Sequence, residues 1–274
     1  MTTTESERKL SAEALELLKQ ELAENGYSVI RSVVSKGPLT ELNAQLAVAY
    51  DQSPEFEGGG SIVGHINCYP GEAGRFVHDQ LQDYGIVDAV RALRQGKRCN
   101  LRAQINYNLP GSSPQHYHMD SLFADQFLLC NVAMVDTDEI NGAIDLLPST
   151  HRDFCPYWRF VMERRSKLST RIPLEQGDLL IRTSTLWHRG MPNKTGTARP
   201  MMALLFGEAS TPAGDPFEAN GPDIFFYPNW YSNESRLGVL QERLECVLPV
   251  TRSAFRFGRS LLRPGGEGRT GLSL

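Results

Sequence analysis

The sequence predicts a mainly β protein, a jelly-roll-type double sheet with helices packed on its outside. Three observations carry this reading. Helical periodicity dominates the first 98 residues; from Cys99 onward short β-rich runs follow one another at fairly regular intervals; and the breaks between those runs hold turn pairs, Pro110-Gly111, Asn141-Gly142 and Gln176-Gly177.

The elements follow in order. Leu15, Leu18 and Leu22 share one helical face over residues 11–25, with Ser11 as N-cap and Asn25-Gly26 as the stop. Residues 27–31 alternate loosely and are rich in β-formers, and Pro38 then opens a second helical stretch running to Tyr50. Residues 55–60 read Glu-Phe-Glu-Gly-Gly-Gly, a loop, and a further helical stretch covers 75–95. Strands are expected over 100–108, 127–135, 143–147, 178–183 and 200–207. Beyond Asp215 the chain turns aromatic and turn-rich, then helical over 234–246, and this region is assigned to covering the barrel mouth or to a homodimer contact. The final stretch, with Arg252, Arg256, Arg259, Arg263 and Arg269 among Gly and Pro, is expected to be mobile at its end and is read as a solvated terminus in preference to a polyanion-binding one. The reading is one domain in three parts: helix-rich 1–98, jelly-roll core 99–207, and cover and tail 208–274.

Composition narrows the partners. Hydrophobic residues at 41% and charged residues at 22% fall in the globular range and exclude a disordered or collagen-like chain. A net charge of −4 gives no pull towards nucleic acid or anionic membranes, so a small molecule is the default partner. The start, Met1-Thr2-Thr3-Thr4-Glu5, has no basic and apolar leader, and no run approaches 18 apolar residues, so a cytoplasmic protein without a membrane span is expected. Cys68, Cys99, Cys130, Cys155 and Cys246 are odd in number and scattered, with no C-x-x-C pair, and are read as reduced thiols, several of them in the core.

The densest chemical cluster is Gln115-His116-Tyr117-His118-Met119-Asp120, just after an expected strand and the turn Leu109-Pro110-Gly111-Ser112. In extended chain residues i and i+2 project to the same side, so His118 and Asp120 can reach one metal while Met119 points away. A second histidine would complete the two-histidine, one-carboxylate face that suits Fe(II) and leaves positions open. His188, at the end of the β-like run from Gly177, is the candidate. Eleven residues further on, Arg199 leads the apolar run Met201 to Phe206, and its guanidinium is suited to grip a carboxylate with two parallel hydrogen bonds.

These features together resemble the phytanoyl-CoA dioxygenase family of 2-oxoglutarate oxygenases. The matching parts are His118-x-Asp120, the connector from Asn141 through Pro148-Ser149-Thr150-His151-Arg152, the distal His188, and Arg199 at the family's spacing, over residues 100–207. The resemblance implies a double-stranded β-helix, cupin-like core, metal ligands His118, Asp120 and His188, and Fe(II) with 2-oxoglutarate as co-substrate. It also implies O2 as a substrate and Arg199 on the far carboxylate of 2-oxoglutarate. For the near end, Gln104 and Asn106 share a strand face, and Asn106 resembles a family co-substrate contact. Asp120 argues against a halogenase, since related halogenases lack the carboxylate. Gly190 departs from members that carry a hydroxyl two residues after the distal histidine.

An H-x-D triplet or a lone histidine has little specificity, and the ordered conjunction carries the case. His116-x-His118-x-Asp120 could also open a metallo-β-lactamase-like zinc motif, but Ser121 stands where that motif needs another histidine. His116 is then a neighbour of the ligands and His151 structural. The expected activity is oxidation of an unactivated C–H bond, with hydroxylation the first choice and desaturation, ring formation and epimerisation sharing the same chemistry and not separable from the sequence. The segment 186–193 with Arg199-Pro200 is similar to members that tailor secondary metabolites, which favours a small polar substrate. The alternatives are a fatty acyl-CoA hydroxylase of the same family and a non-catalytic ligand-binding barrel. Loops 55–72 and 208–232 are expected in the pocket wall, with Tyr117, Phe123, Tyr227 and Trp230 as candidates, and Trp187 as a core aromatic behind the metal.

Overall fold

The structure, a computed structural model, describes residues 9–53, 60, 63–94, 100–121, 123, 126–207, 215–218, 221–227, 244 and 248–262. Of the expected loop at 55–60 only Gly60 is described, and of the expected helix at 234–246 only Leu244; Trp230, Cys99, Cys246, Arg263 and Arg269 lie outside the described residues.

The helices among them are α1 (Ala12–Asn25), α2 (Lys36–Asp51), α3 (Arg75–Asp83), α4 (Ile86–Leu93), α5 (Tyr157–Met162) and α6 (Pro249–Leu262). The strands are β1 (Tyr27–Ile30), β2 (His65–Tyr69), β3 (Asn100–Asn108), β4 (Leu128–Ala133), β5 (Ile144–Leu146), β6 (Thr170–Ile172), β7 (Leu179–Thr183), β8 (His188–Arg189), β9 (Arg199–Gly207) and β10 (Phe225–Tyr227). A seven-stranded sheet runs β1-β7-β4-β9-β3-β2-β10 and a three-stranded sheet β6-β5-β8, antiparallel throughout. The expected jelly-roll double sheet is what forms.

Period-two alternation decides what each face does. Along β2 and β3, Ile66, Cys68, Ile105 and Tyr107 face outward into a core shared with α1 to α4, where Leu18, Leu39, Leu42, Leu46, Leu81 and Val90 are buried. The inner face meets the small sheet through Ala133, Leu180 and Met201 against Ile144 and Leu146. Around that apolar contact the inner face is polar: His65, Asn67 and Tyr69 on β2, Gln104, Asn106 and Asn108 on β3, Asn131 on β4 and Arg182 on β7. Polar side chains turned into a barrel need water or a ligand to satisfy them, so this face points to a site.

The first helix begins and ends as the sequence predicts. Ser11 accepts from the Ala14 amide through its side chain, and Gly26 adopts the left-handed conformation (φ 82°). The connector then closes the end of α1, whose last carbonyls would otherwise be orphaned. Ser149 Oγ donates to Glu24 O, the Ser149 amide to Asn25 O, and Arg152 Nε to Ala23 O. A Cβ on Gly26 would lie 2.5 Å from His151 Nδ1 and 2.9 Å from a Leu186 methyl. Gly26→Ala is therefore expected to destabilise the protein by about 1–3 kcal/mol, measured as a fall in urea midpoint at unchanged slope. No fall would mean that the connector yields at this point.

Two expectations are corrected here. Part of the segment expected as a pocket-wall loop is strand β2, buried at Ile66 and Cys68. The basic terminus is helical to Leu262 and packs against α5, with Ser260 Oγ accepting from the Trp158 amide. Cys68, Cys130 and Cys155 are buried, as expected of several of the thiols, and Cys68 and Cys130 are free. Among the described residues no helix is long and apolar enough to cross a membrane.

Candidate active site

The segment between β3 and β4 carries the H-x-D pair, and backbone hydrogen bonds fix where it lies. The Gln115 amide donates to Gly190 O, and His118 and His188 exchange amide-to-carbonyl bonds at 2.9 and 3.0 Å. The segment thus extends the small sheet by one strand beyond β8. Two histidines 70 positions apart become direct cross-strand neighbours, with ring centroids 4.3 Å apart. The Asp120 amide donates to Ser184 O, anchoring the third residue to the turn after β7.

Each imidazole is held by its own backbone. His118 Nδ1 donates to His116 O at 2.8 Å and His188 Nδ1 to Leu186 O at 2.9 Å. Anchored there, both rings turn Nε2 towards Asp120 Oδ1, with Nδ1 held by backbone as in metal-ligating histidines. Asp120 Oδ1 stands 3.7 Å from His118 Nε2 and 3.5 Å from His188 Nε2. These three residues form a group whose ligand atoms all lie within 4.8 Å of one another.

The other oxygen of Asp120 is occupied by a residue that the sequence reading did not single out. Arg182 Nη1 lies 2.6 Å from Asp120 Oδ2, in charge contact without hydrogen-bond alignment, and its Nε donates to Asn131 Oδ1 at 3.0 Å. Burial alone would raise the Asp120 carboxyl, but Arg182 and then His188 and His118 outweigh it and hold the group well below the usual carboxylate range. Burial and the neighbouring His188 lower His118 to about 3, against the pull of Asp120. Both shifts favour the deprotonated forms of His118 and Asp120 that metal binding requires.

Arg199 opens β9, opposite Asn108, and is 3% exposed. Among the described residues its Nε has no hydrogen-bond partner, and burial pushes the guanidinium down to about 10. A buried, unmatched cation on the polar face of a barrel is the complement of an anionic ligand. Donor set and lone guanidinium together fit a divalent ion of the Fe(II) type and a dicarboxylate.

His65 lies on the same sheet face as Arg199, its Nε2 donating to Ser113 O. Burial, with a smaller push from the Arg199 charge, lowers it to about 4 against that hydrogen bond. Unfolded histidines titrate near 6.5, so between these values the folded protein binds fewer protons than the unfolded chain. Stability from His65 and His118 is then present above about pH 6.5 and lost as pH falls towards about 4. Urea midpoints of metal-free protein against pH are expected to fall over that window, and His65→Gln to flatten its part of the slope. An unaltered slope would assign the titration to other groups.

A profile of the phytanoyl-CoA dioxygenase (PhyH) family matches residues 22–201, more than half of the chain and every residue just described. The chain belongs to the phytanoyl-CoA dioxygenase family. It is accordingly a non-haem iron oxygenase that uses 2-oxoglutarate. Solved structures agree in fold. The epimerase SnoN, in complex with Fe3+, α-ketoglutarate and nogalamycin RO, is 18% identical over 78% of this chain and 93% of its own, with a TM-score of 0.58. The carbocyclase SnoK from nogalamycin biosynthesis is 17% identical over 82% and 99%, with a TM-score of 0.57. HygX from Streptomyces hygroscopicus, with nickel and 2-oxoglutarate bound, is 14% identical over 79% and 97%, with a TM-score of 0.53.

The remaining candidates of this phytanoyl-CoA dioxygenase family member sort by face. Asn106 Nδ2 donates to Asn67 Oδ1 at 3.3 Å, and the Tyr227 hydroxyl donates to Gln104 Oε1 at 3.4 Å, all on the inner face. Tyr227 stacks on Tyr69 at 4.6 Å. Tyr117, expected in the pocket wall, instead points behind the ligands: its hydroxyl donates to the buried Asp145 at 2.6 Å and Arg189 lies over its ring. The reason is the same alternation that turns His118 and Asp120 inward. Phe123 packs with Phe154 beside that cluster, and Trp187 is fully buried there, as expected. His116 lends the carbonyl that anchors His118, and His151 packs under the end of α1.

Proposed function

We propose that His118, Asp120 and His188 hold Fe(II), that Arg199 receives the far carboxylate of 2-oxoglutarate, and that Asn106 contacts its near end. The observation that carries this is the meeting of two imidazoles and one carboxylate, their ligand atoms within 4.8 Å of one another, in a chain that also buries Arg199 with its Nε unpartnered among the described residues. When bound, iron and co-substrate supply with O2 the oxidising power to break an unactivated C–H bond. The chain's own part is positional. Arg182 occupies one oxygen of Asp120 and leaves the other for the metal; the His116 and Leu186 carbonyls fix the ring planes; Arg199 sets the direction of the diacid.

Register separates the two amides. Arg199 pairs with Asn108, so Asn106 lies one same-face step away, about 7 Å, and Gln104 two steps, about 14 Å. Asn106 is the better placed of the two for a five-carbon diacid. Gln104, joined to Tyr227, continues the wall beyond it. That wall of Asn67, Tyr69, Gln104 and Tyr227 offers neutral hydrogen-bonding groups and aromatic faces, which supports a small polar metabolite over a fatty acyl chain. The fold shared with the epimerase SnoN and the carbocyclase SnoK of nogalamycin biosynthesis supports secondary metabolism; hydroxylation is our choice among the reactions open to such a site. We read the chain as one catalytic domain working in the cytoplasm, in keeping with the buried thiols of Cys68 and Cys130.

The test is anaerobic titration of metal-free protein with Fe(II) and then 2-oxoglutarate, followed by the weak visible charge-transfer band of the chelated complex. Its appearance supports the assignment, and succinate release then serves to screen polar metabolites. Its absence from folded protein that binds Fe(II) would overturn the site.

A further inference from the structure

Helix α6 lies outside the family-matched segment, yet one of its side chains reaches the back of the metal site. Arg256 is 7% exposed although it sits on a helix with exposed Phe255 and Leu261 on its other faces. Its Nη1 donates to the Tyr117 carbonyl. Its guanidinium lies 4.2 Å from the centre of the Tyr157 ring and 5.4 Å from that of Trp187. Tyr117 and Trp187 immediately precede His118 and His188. One cation therefore touches both strands that present histidines, on the side away from the ligand atoms.

The mechanical consequence follows from peptide planarity. The Tyr117 carbonyl and the His118 amide belong to one rigid plane. Fixing that oxygen fixes the N–H that donates to His188 O, one half of the bridge holding the two histidines together. The Trp187 ring, stacked on Phe160 at 4.4 Å, is held on the same side as Tyr157, 6.2 Å away. Cation–π contact with buried rings adds to the hydrogen bond, and both are stronger in a dry setting.

We propose that Arg256 is a positioning residue of the metal centre, bracing from α6 the backbone on which His118 and His188 stand. This rests on the assignment of those histidines as ligands. Outer partners of metal ligands typically contribute 10–100-fold in metal affinity. Arg256→Met keeps the apolar stem and removes the charge and donor; Arg256→Lys keeps the charge and a single donor without the flat guanidinium. Co(II) and Zn(II) affinities are measured by competition with a chromophoric chelator, alongside the thermal midpoint of the metal-free protein and the Fe(II)–2-oxoglutarate band. Arg259→Met, on the exposed side of the same helix, serves as the control.

The expected order of affinity is wild type, then Arg256→Lys, then Arg256→Met at about tenfold or more below wild type, with a shifted or weakened band and Arg259→Met unchanged. Should Arg256→Met fail to fold, the comparison of Arg256→Lys with wild type decides. Wild-type affinity in the folded Arg256 variants would overturn the bracing role while leaving the three ligands in place. Failure of the wild-type protein to bind any of these ions would overturn the ligand assignment and the inference with it.

Discussion

Replacing His188 by alanine is expected to abolish the visible band of the Fe(II)–2-oxoglutarate complex and to lower turnover by about a thousandfold or more. The substitution removes one of two nitrogen donors and leaves the other contacts of the site intact. The bridge between positions 118 and 188 is made by main-chain atoms, so it survives the loss of the imidazole. Circular dichroism close to wild type, with metal affinity sharply reduced, is the expected signature. The partner change His118→Ala should behave alike, because the two rings hold equivalent places around Asp120 Oδ1. A band that persisted unaltered in His188→Ala would remove His188 from the ligand set.

Replacing Arg199 by methionine is expected to act in opposite directions on binding and on stability. Truncating one partner of a buried charge pair costs about 2–5 kcal/mol, so 2-oxoglutarate affinity should fall at least about 30-fold. Without co-substrate, however, Arg199 is a buried cation with nothing among the described residues to neutralise it. A hydrophobic residue of similar length relieves that cost, and the thermal midpoint of the metal-free protein should rise. Added 2-oxoglutarate together with metal should raise the wild-type midpoint and leave that of the variant almost unmoved. Equal affinity in both proteins would mean that the diacid is held elsewhere.

Much of this was legible from residue order. The strand expected over 100–108 forms over those residues, and those expected at 178–183 and 200–207 differ from β7 and β9 by one residue at the start. Buried central strands leave long apolar runs, and the ends of α1 are marked by side chains whose capping chemistry is local. The residues expected as ligands are brought together because H-x-D is a local pattern and His188 follows a clear strand, although that strand ends at Thr183 and His188 opens β8 after a turn. The pieces that escaped are short or non-local. Strands β6, β8 and β10 have two or three residues each, too few to show a period. Strand β2, His-Ile-Asn-Cys-Tyr, alternates properly, but its polar half faces a site and imitates a loop.

Arg182 and Arg256 escaped for a different reason. Each acquires its meaning from partners far along the chain: Asp120 and Asn131 for the first, Tyr117 and Trp187 for the second. A signal for Arg182 was nonetheless present, a charge inside the run Leu179-Leu180-Ile181 that a central strand would have to bury. Arg256 carried no such mark, since an arginine among four others in a basic stretch reads as solvated until a helix turns one of them inward.

Strand β10 is the outermost of the large sheet, joined to it by three register pairs with β2, yet it carries Tyr227 into the barrel. β10 is thus attached by a seam along one side only, whereas β3, β7 and β9 each pair on both sides within the large sheet. Variation can be tolerated where few bonds are broken. If Tyr227 lines the substrate wall as proposed, segment exchange around residues 225–227 is expected to alter which molecule is received while the strands of the site keep their pairing. Libraries aimed at new substrates should begin at that seam and leave β3, β7 and β9 unmodified.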